Sequence, residues 1–333
     1  MEGYGSSRIA GIGAFLPKQR VSTDDLMHEV NCRRFGIPEN YISRHIGIIE
    51  KRVSDASMQP SDLAVLASEI ALRDAGVKPD DIDLIIYTGV SRDYIEPATA
   101  HNVQKQLGVA KAFCLDVSNA CLGFMTGLTI ADRYIAGKMA TRVLVCTGEQ
   151  HRDLIHDFVS TLKKLEDKKV FKNKLGMLTV GDAGAAMVVE AKPNLQEGFQ
   201  WFDYISVGAH HQLCYLAWAN TGIVGEMIMQ KVSQESLKLH WEMIAKTYDK
   251  LQWEPSMVDK LFAHQVGRRP YEEVLNLTSV PTEKAPVTYD NYGNLASATI
   301  PVGMYLYPPK KGERVLFIGA GSGIAICQWG MVF

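Results

Sequence analysis

A cysteine stands where a short apolar strand meets an apolar helix, in the segment Asp-Val-Ser-Asn-Ala-Cys-Leu-Gly-Phe (residues 116–124). Residues 112–117 have the pattern of a strand, and residues 121–135 are apolar nearly all round, as in a buried helix. At a helix start, unpaired N–H groups and the helix dipole lower a thiol's pKa and favour the nucleophilic thiolate. Cys121 is therefore a candidate nucleophile, although a free cysteine is more often a small buried apolar side chain.

Three further polar residues lie at the ends of predicted elements. His264 follows the apolar strand 260–263, at the edge where open α/β sheets bind ligands, but its position alone favours a histidine packed at a strand end. Asn294 lies between a turn and a helix, where a helix cap is the default interpretation. Glu96 precedes Pro97 between a strand and a helix, where a glutamate is usually a solvated partner of the helix dipole.

Glycines near the C-terminus invite comparison with a dinucleotide-binding loop. Gly319, Gly321 and Gly323 have alternate spacing, but that motif needs a following helix and an acidic residue about 20 positions on. Here the glycines lead into another apolar strand. The sequence predicts tight turns, with residues 319–321 offering a backbone N–H to a ligand.

Composition narrows the class of protein. The chain has 333 residues, 47% hydrophobic and 22% charged, which is enough for two core-forming units. A net charge of −2 gives no reason to expect nucleic acid or an anionic membrane as a partner. No run approaches the ~18 apolar residues of a membrane span. The N-terminus lacks the apolar core of a signal peptide, so we expect a cytoplasmic protein.

The cysteines have neither metal-binding nor redox spacing, so we expect reduced thiols and no metal site. They are Cys32, Cys114, Cys121, Cys146, Cys214 and Cys327.

Strand and helix signals alternate throughout, which predicts an α/β protein. The predicted elements are strands at 8–15, 82–87 and 142–147 and helices at 62–75 (closed by Gly76) and 98–107. Residues 151–176 are charge-rich and predict a surface segment with a short helix, covering a site entrance.

The second half of the chain repeats the first in outline. Residues 74–89 are echoed by 251–267, and residues 181–190 by 319–329, in the same order. Internal similarity on this scale predicts a duplicated α/β unit. We place the boundary so that residues 1–190 carry the nucleophile and residues 191–333 carry the histidine and asparagine.

Four motifs in this order carry a resemblance to a known family. Cysteine in DVSNACLGF, histidine in AHQVG, asparagine in NYGN and the C-terminal GAGSG resemble the condensing enzymes of the thiolase fold. The nearest classes are β-ketoacyl synthase III and the acyl-CoA condensing enzymes that begin head-to-head hydrocarbon synthesis. The likeness runs from the first strand, IAGIGAFLP, to the last residues. It implies a five-layered αβαβα fold, a homodimer, acyl-CoA and acyl carrier protein as partners, and no cofactor beyond the coenzyme A thioester substrate.

The resemblance also implies a role for each residue. Cys121 would be acylated by the first acyl thioester. His264 and Asn294 would donate hydrogen bonds to the thioester oxygen of the second substrate. The backbone N–H groups of Cys121 and Ala320 would form the oxyanion hole, with Gly319 and Gly321 allowing the chain to approach closely.

Glu96 decides the subclass that the resemblance implies. Ordinary β-ketoacyl synthase III enzymes have an apolar residue there and obtain their carbanion by decarboxylating a malonyl group. Without that decarboxylation, the α-carbon of an acyl thioester must be deprotonated, and a carboxylate in an apolar tunnel suits the task. In the hydrocarbon-forming class, the glutamate reaches across the dimer into the partner's site. Glu96 is therefore the expected base.

The positions that would contact the carrier depart from β-ketoacyl synthase III. Tyr41, His45 and Lys174 stand at or near places where that class has Trp and Arg residues contacting coenzyme A, whereas Arg269 matches a phosphate-contacting position. The donor could therefore be coenzyme A, acyl carrier protein or both. The resemblance also implies that a helix between Asn294 and Gly319 is shorter here than in that class.

These features predict an acyltransferase that condenses two acyl thioesters without decarboxylation. The alternative is a decarboxylative 3-oxoacyl-[acyl carrier protein] synthase III that extends with a malonyl thioester. Two further possibilities are a non-catalytic subunit that shapes a partner's pocket and an enzyme that transfers acyl groups to oxygen or nitrogen.

Overall fold

The alternation of strands and helices predicted from the sequence is present in the computed structural model, which describes residues 1–219 and 222–333. The strands are β1 (Glu2–Tyr4), β2 (Ser7–Phe15), β3 (Gln19–Ser22), β4 (Glu50–Val53), β5 (Leu84–Thr88), β6 (Phe113–Val117), β7 (Arg142–Glu149), β8 (Ala183–Ala191), β9 (Gly198–Ser206), β10 (Cys214–Ala219), β11 (Gly222–Met227), β12 (Lys260–Ala263), β13 (Arg314–Gly321) and β14 (Ala325–Val332). The α-helices are α1 (Thr23–Glu29), α2 (Pro60–Ala75), α3 (Thr99–Leu107), α4 (Gly123–Ala136), α5 (Arg152–Lys164), α6 (Lys168–Lys174), α7 (Met229–Leu251), α8 (Arg268–Thr278), α9 (Tyr289–Tyr292) and α10 (Thr299–Leu306).

Two five-stranded mixed sheets form the frame. The first has the order β2-β8-β7-β5-β6 and the second β1-β9-β14-β13-β12. Strands β5, β6 and β7 run parallel, as do β12 and β13. Because the carboxyl ends of parallel strands meet at one edge of a sheet, the segments after β6 and β12 emerge at such edges. Those segments carry Cys121 and His264.

Five layers follow from how the apolar faces are buried. Helices α4 and α10 lie between the sheets and share one apolar core with the inner faces of both. Helices α2 and α3 cover the outer face of the first sheet, and α7 and α8 cover that of the second. Because both faces of each sheet are covered, the central strands are apolar on both sides. The predicted five-layered αβαβα arrangement is confirmed.

The first sheet takes its strands from residues 7–191, and the second takes β1 together with strands from residues 198–332. The division into halves at residue 190 stays a prediction.

The prediction for residues 151–176 is wrong in part. This segment forms two helices, α5 and α6, followed by a 3₁₀ segment at Leu175–Thr179. Apolar side chains on one face of each helix, among them Ile155, Val159 and Phe171, are buried in the core beside the second sheet. The high lysine content hid this helical spacing of apolar residues, and the charged residues lie on the opposite face.

Among the described residues, no helix has the length and hydropathy to cross a membrane. No cluster of three or more potential metal ligands occurs there either.

Candidate active site

One cavity brings Cys121, His264 and Asn294 together, with Ala320 and Gly321 in its wall. Its empty volume, open mouth included, is about 700 Å³. The other lining residues are Cys214, Met227, Met229, Val232, Ser233, Ser236, Leu237, His240, Val266, Pro270, Val274, Ile318 and Ser322. Glu96, Gly319, Arg269, Tyr41, His45 and Lys174 do not line it. The sequence therefore predicted the core of this site but not most of its walls.

Cys121 sits on a tight turn between β6 and α4. The turn is a 3₁₀ segment, Ala120–Leu122, and Ala120 has a left-handed φ of 46°. Strand β13 lies directly against it, because a Cβ on Gly321 would come within 3.1 Å of the Leu122 backbone nitrogen. A Cβ on Gly319 would come within 2.6 Å of the Leu122 side chain. A side chain at Gly319 would therefore force its neighbours to move, whereas one at Gly321 would be tightly packed.

The electrostatic expectation for Cys121 is wrong. Burial raises the pKa of the thiol, and the nearby Cys214 and Glu149 raise that pKa further. A backbone hydrogen bond at Cys121 lowers the pKa, but it offsets only part of this rise. At neutral pH the Cys121 side chain is therefore a neutral thiol.

His264 extends the end of β12 into the cavity. Its backbone N–H donates to Ile318 of β13 at 2.9 Å, which fixes the start of the following loop. Burial lowers the pKa of the imidazole to about 4, so the ring is neutral at pH 7. Nδ1 is buried and has no hydrogen-bond partner among the described residues. With no acceptor beside Nδ1, the ring can hold its proton on Nε2.

Asn294 stabilises a local turn and also lines the cavity. Its Oδ1 accepts a hydrogen bond from the Ala296 N–H at 2.9 Å, as in a helix cap. Its backbone N–H donates to Thr179, and its carbonyl oxygen accepts from Gly181. The capping oxygen and both backbone groups are thus engaged, which leaves the Nδ2 hydrogens as the donors available to a ligand.

A buried glutamate near the site escaped the sequence analysis. Glu149 ends β7 and is fully buried. Its carboxylate accepts hydrogen bonds from Ser297 Oγ at 2.6 Å and from the Val90 N–H at 3.1 Å, so it joins the Asn294 turn to the loop after β5. Its position at the carboxyl end of an apolar strand could have identified it from the sequence, as the same kind of position identified His264.

Glu96 lies at the surface, three residues before α3. The helix N-terminus is capped by another residue: Asp116 accepts from the N–H groups of Thr99 and Ala100 at 2.8 and 2.9 Å. The exposed position of Glu96 is the one expected of a solvated glutamate near a helix start, although its carboxylate accepts none of these N–H groups. Within its own chain, Glu96 does not line the Cys121 cavity.

The predicted carrier contacts divide into two groups. Arg269 is exposed in the first turn of α8, next to the cavity residue Pro270. The rings of Tyr41 and His45 pack at an angle of 42° with their centroids 5.0 Å apart, close to the point where the Arg268 side chain donates to the backbone of Arg44. Arg269, Tyr41 and His45 thus lie on or beside α8, the helix whose Pro270 lines the cavity.

Lys174 is engaged elsewhere. Its Nζ donates to the carbonyl oxygen of Gly225 at 2.6 Å and pairs with Glu226 at 2.9 Å. This ammonium ties α6 to β11, and a phosphate would have to compete with these two partners for it. Its role as a carrier contact stays a prediction.

Two sheets enclosing a central helical layer, with a cysteine turn from one sheet and a histidine from the other in one cavity with an asparagine, are the arrangement of a condensing enzyme of the thiolase fold. Comparison with known proteins agrees. The family model for 3-oxoacyl-[acyl-carrier-protein (ACP)] synthase III matches residues 115–208, and the model for its C-terminal part matches residues 248–330.

Relatives match along nearly the whole chain. A beta-ketoacyl-[acyl-carrier-protein] synthase III of Methylococcus capsulatus is 31% identical, covering 97% of both chains. An acyl-CoA:acyl-CoA alkyltransferase of Shewanella oneidensis is 30% identical, covering 90% of both. The solved structure of OleA from Xanthomonas campestris with bound cerulenin superposes with a TM-score of 0.91 at 26% identity, over 99% of this chain and 98% of that one.

The chain belongs to the 3-oxoacyl-[acyl-carrier-protein] synthase III family. It is accordingly an acyltransferase of the condensing type.

Proposed function

We propose that this enzyme joins two acyl thioesters by a non-decarboxylative Claisen condensation, with acyl-CoA as substrate and no further cofactor. The observation that carries the proposal is the cavity shared by Cys121, His264 and Asn294, with largely apolar walls suited to an acyl chain. Similarity to an acyl-CoA:acyl-CoA alkyltransferase and to OleA supports this chemistry, and similarity to beta-ketoacyl-[acyl-carrier-protein] synthase III supports the decarboxylative alternative.

In the first half-reaction, the Cys121 sulfur attacks the carbonyl carbon of one acyl thioester. The thiol proton passes to the departing coenzyme A sulfur as the carbon–sulfur bond breaks, leaving an acyl group on Cys121. Backbone N–H groups of Cys121 and Ala320 stabilise the oxyanion. Because the thiol is neutral at rest, its proton is removed only as substrate binds.

In the second half-reaction, a base removes a proton from the α-carbon of another acyl thioester. The His264 Nε2–H and the Asn294 Nδ2–H donate to its carbonyl oxygen, where negative charge develops. The carbanion attacks the acyl group on Cys121, a carbon–carbon bond forms, and the Cys121 sulfur leaves as thiolate and is reprotonated. The product is a 2-alkyl-3-oxoacyl thioester.

Glu96 supplies the base, and it does so in the partner's cavity of a homodimer. Around Glu96 the chain exposes large apolar side chains, Val90, Tyr94 and Ile95, the last 92% exposed. A surface with this composition is suited to burial against a second subunit. Solved OleA structures carry substitutions at a glutamate, a cysteine and a histidine, which occur in that order along its chain, as do Glu96, Cys121 and His264 here.

The test is incubation with a single acyl-CoA, with and without malonyl-CoA, followed by mass spectrometry of the products. Condensation should occur with acyl-CoA alone. Glu96→Gln should abolish it while leaving acylation of Cys121 intact, because acylation needs no carbon base. The matched control is Glu69→Gln, an exposed glutamate on α2.

A decarboxylative synthase would give the opposite pattern. Products would then require malonyl thioester, and Glu96→Gln would leave turnover largely unchanged. That result would overturn the proposal in favour of the alternative.

A further inference from the structure

Two buried polar side chains interrupt the apolar wall that α7 contributes to the cavity. Ser236 and His240 lie one helical turn apart, on the same face of α7. The other α7 residues in the wall are Met229, Val232, Leu237 and the half-buried Ser233. Burial of a polar group costs free energy unless it is hydrogen-bonded.

Ser236 carries an unused hydrogen-bonding group. Its side chain is 6% exposed, and its Oγ is buried with no partner among the described residues. Buried serines in helices usually bond back to a carbonyl one turn earlier, as Ser68 does to Ala64 at 2.7 Å. Ser236 does not, so its hydroxyl is available to a molecule in the cavity.

His240 is held in one tautomer by its neighbours. The Gln328 amide nitrogen donates to the His240 carbonyl oxygen at 3.1 Å and reaches its Nδ1 at 3.2 Å. Thr247 Oγ1 donates to the opposite end of the same amide, Gln328 Oε1. An amide oriented in this way makes Nδ1 an acceptor. The proton of the neutral ring is therefore on Nε2, and burial lowers the pKa of His240 to about 3, which keeps the ring neutral.

We propose that Ser236 and His240 form a subsite for a hydrogen-bond-accepting oxygen of the substrate, away from the reacting thioester. His240 Nε2–H can donate to that oxygen, and Ser236 Oγ can donate to it or accept from it. This subsite rests on the proposed function, because it assumes that the cavity holds an acyl thioester. It assigns a specificity role to two residues of α7.

Two parts of an acyl thioester carry such an oxygen. One is a hydroxyl or oxo group on the acyl chain; the other is an amide carbonyl of the carrier's pantetheine arm. A hydroxyl could use both residues at once, since it accepts from Nε2–H and donates to Ser236 Oγ. The chemistry required of the ligand is the same in both cases.

Acylation of Cys121 tests the subsite without involving carbon–carbon bond formation, so failure of the condensation proposal would not affect the result. We would measure kcat/KM for acylation by intact-protein mass spectrometry with decanoyl-CoA, 3-hydroxydecanoyl-CoA, 10-hydroxydecanoyl-CoA and the S-ethyl thioester of decanoic acid. Ser236→Ala and His240→Leu are compared with the wild type, and Ser68→Ala is the control, since Ser68 lies outside the cavity.

Loss of one neutral hydrogen bond should lower kcat/KM about five-fold in Ser236→Ala. A loss confined to a hydroxydecanoyl substrate assigns the oxygen to the acyl chain. A loss with every coenzyme A substrate but not with the S-ethyl thioester assigns it to the pantetheine amide. Both results support the subsite. Less than a two-fold change with every substrate in Ser236→Ala overturns it.

The melting temperature separates recognition from a structural role. Because the Ser236 hydroxyl has no partner in the protein, Ser236→Ala should melt at or above the temperature of the wild type. His240→Leu leaves Gln328 without a partner for one donor and should melt lower, so the interpretation rests on Ser236→Ala if His240→Leu does not fold. A drop in melting temperature in Ser236→Ala, with kcat/KM unchanged, would show that the hydroxyl serves the fold.

Discussion

At Cys121, two opposing effects act on one thiol, and their magnitudes decide the outcome. A helix N-terminus stabilises a charge by about 0.3–1 kcal/mol, which is less than one unit of pKa. Burial can shift the pKa of an ionisable group by several units in the direction of its neutral form. Desolvation is the larger effect here, so the pKa of Cys121 is raised despite its place before α4. Reactivity must therefore come from the substrate complex and not from a standing thiolate.

The rate of alkylation of Cys121 should show whether its thiol is neutral at rest. We expect iodoacetamide to modify Cys121 slowly at pH 7, with a rate rising about tenfold per pH unit from 7 to 10 and no plateau, because only the thiolate reacts. His264, whose pKa is lowered to about 4, offers no positive charge to stabilise that thiolate in this range. Peptide mass spectrometry would follow Cys121 separately from the other cysteines, with Cys121→Ala as the blank.

A plateau already reached at pH 7 would contradict the prediction. It would indicate an ion pair between the Cys121 thiolate and a protonated His264.

Residues at the ends of elements could be recognised from the sequence, whereas residues within elements could not. Cys121, His264 and Asn294 each lie at a junction, and all three line the same cavity. Ser236 and His240 lie inside a long helix, where serine and histidine carry no positional signal. Their significance depends on which face of α7 meets the cavity and on Gln328, which is distant in the chain.

At the scale of elements, the position of the nucleophile depends on how closely β13 approaches the turn before α4. The Leu122 side chain packs where a Cβ at Gly319 would lie, and Cys327 Sγ lies on the other side at the same 2.6 Å. Such a site has no room to accommodate even one methyl group without movement of its neighbours. Gly319 thus positions Cys121 indirectly, through Leu122.

Gly319→Ala should therefore destabilise the protein by about 1–3 kcal/mol through overpacking. It should also slow acylation, because relief of the clash moves the turn that carries Cys121. Thermal unfolding and the acylation rate would check both effects. Gly208→Ala is the control, since a Cβ there meets nothing within 4 Å. Equal behaviour of the two variants would show that the turn is independent of β13.

Most of the elements near the site could be predicted because their apolar spacing is local. The helix predicted at 62–75 is α2, ending at Gly76, whose φ of 65° suits glycine, and the strand predicted at 8–15 is β2. By contrast, only one short surface helix was predicted in 151–176, because the buried faces of α5 and α6 pack on parts of the chain far away in sequence. The ion pair of Lys174 with Glu226 could not be predicted for the same reason.

At the scale of the whole molecule, the proposed reaction needs more than one chain. Along the chain, α3 and β6 separate Glu96 from Cys121. Glu96 does not line the cavity that contains Cys121 of the same chain. Strand β6 is the edge strand of the first sheet, and its Phe113 is 62% exposed. An open edge strand and an apolar loop beside it are features that a second subunit could cover. Covering them would bring a foreign Glu96 toward the Cys121 turn that β6 leads into.

Mixed dimers can decide whether Glu96 acts in its own subunit or in the partner's. Cys121→Ala and Glu96→Gln should each be inactive in condensation as pure proteins. In a mixed dimer, the subunit with an intact Cys121 meets an intact Glu96 from its partner, which restores one of two sites. With random pairing of equal amounts, half the dimers are mixed, so activity should recover to about a quarter of the wild-type value. If Glu96 served its own subunit, no dimer in the mixture would contain a complete site, and co-expression would restore nothing.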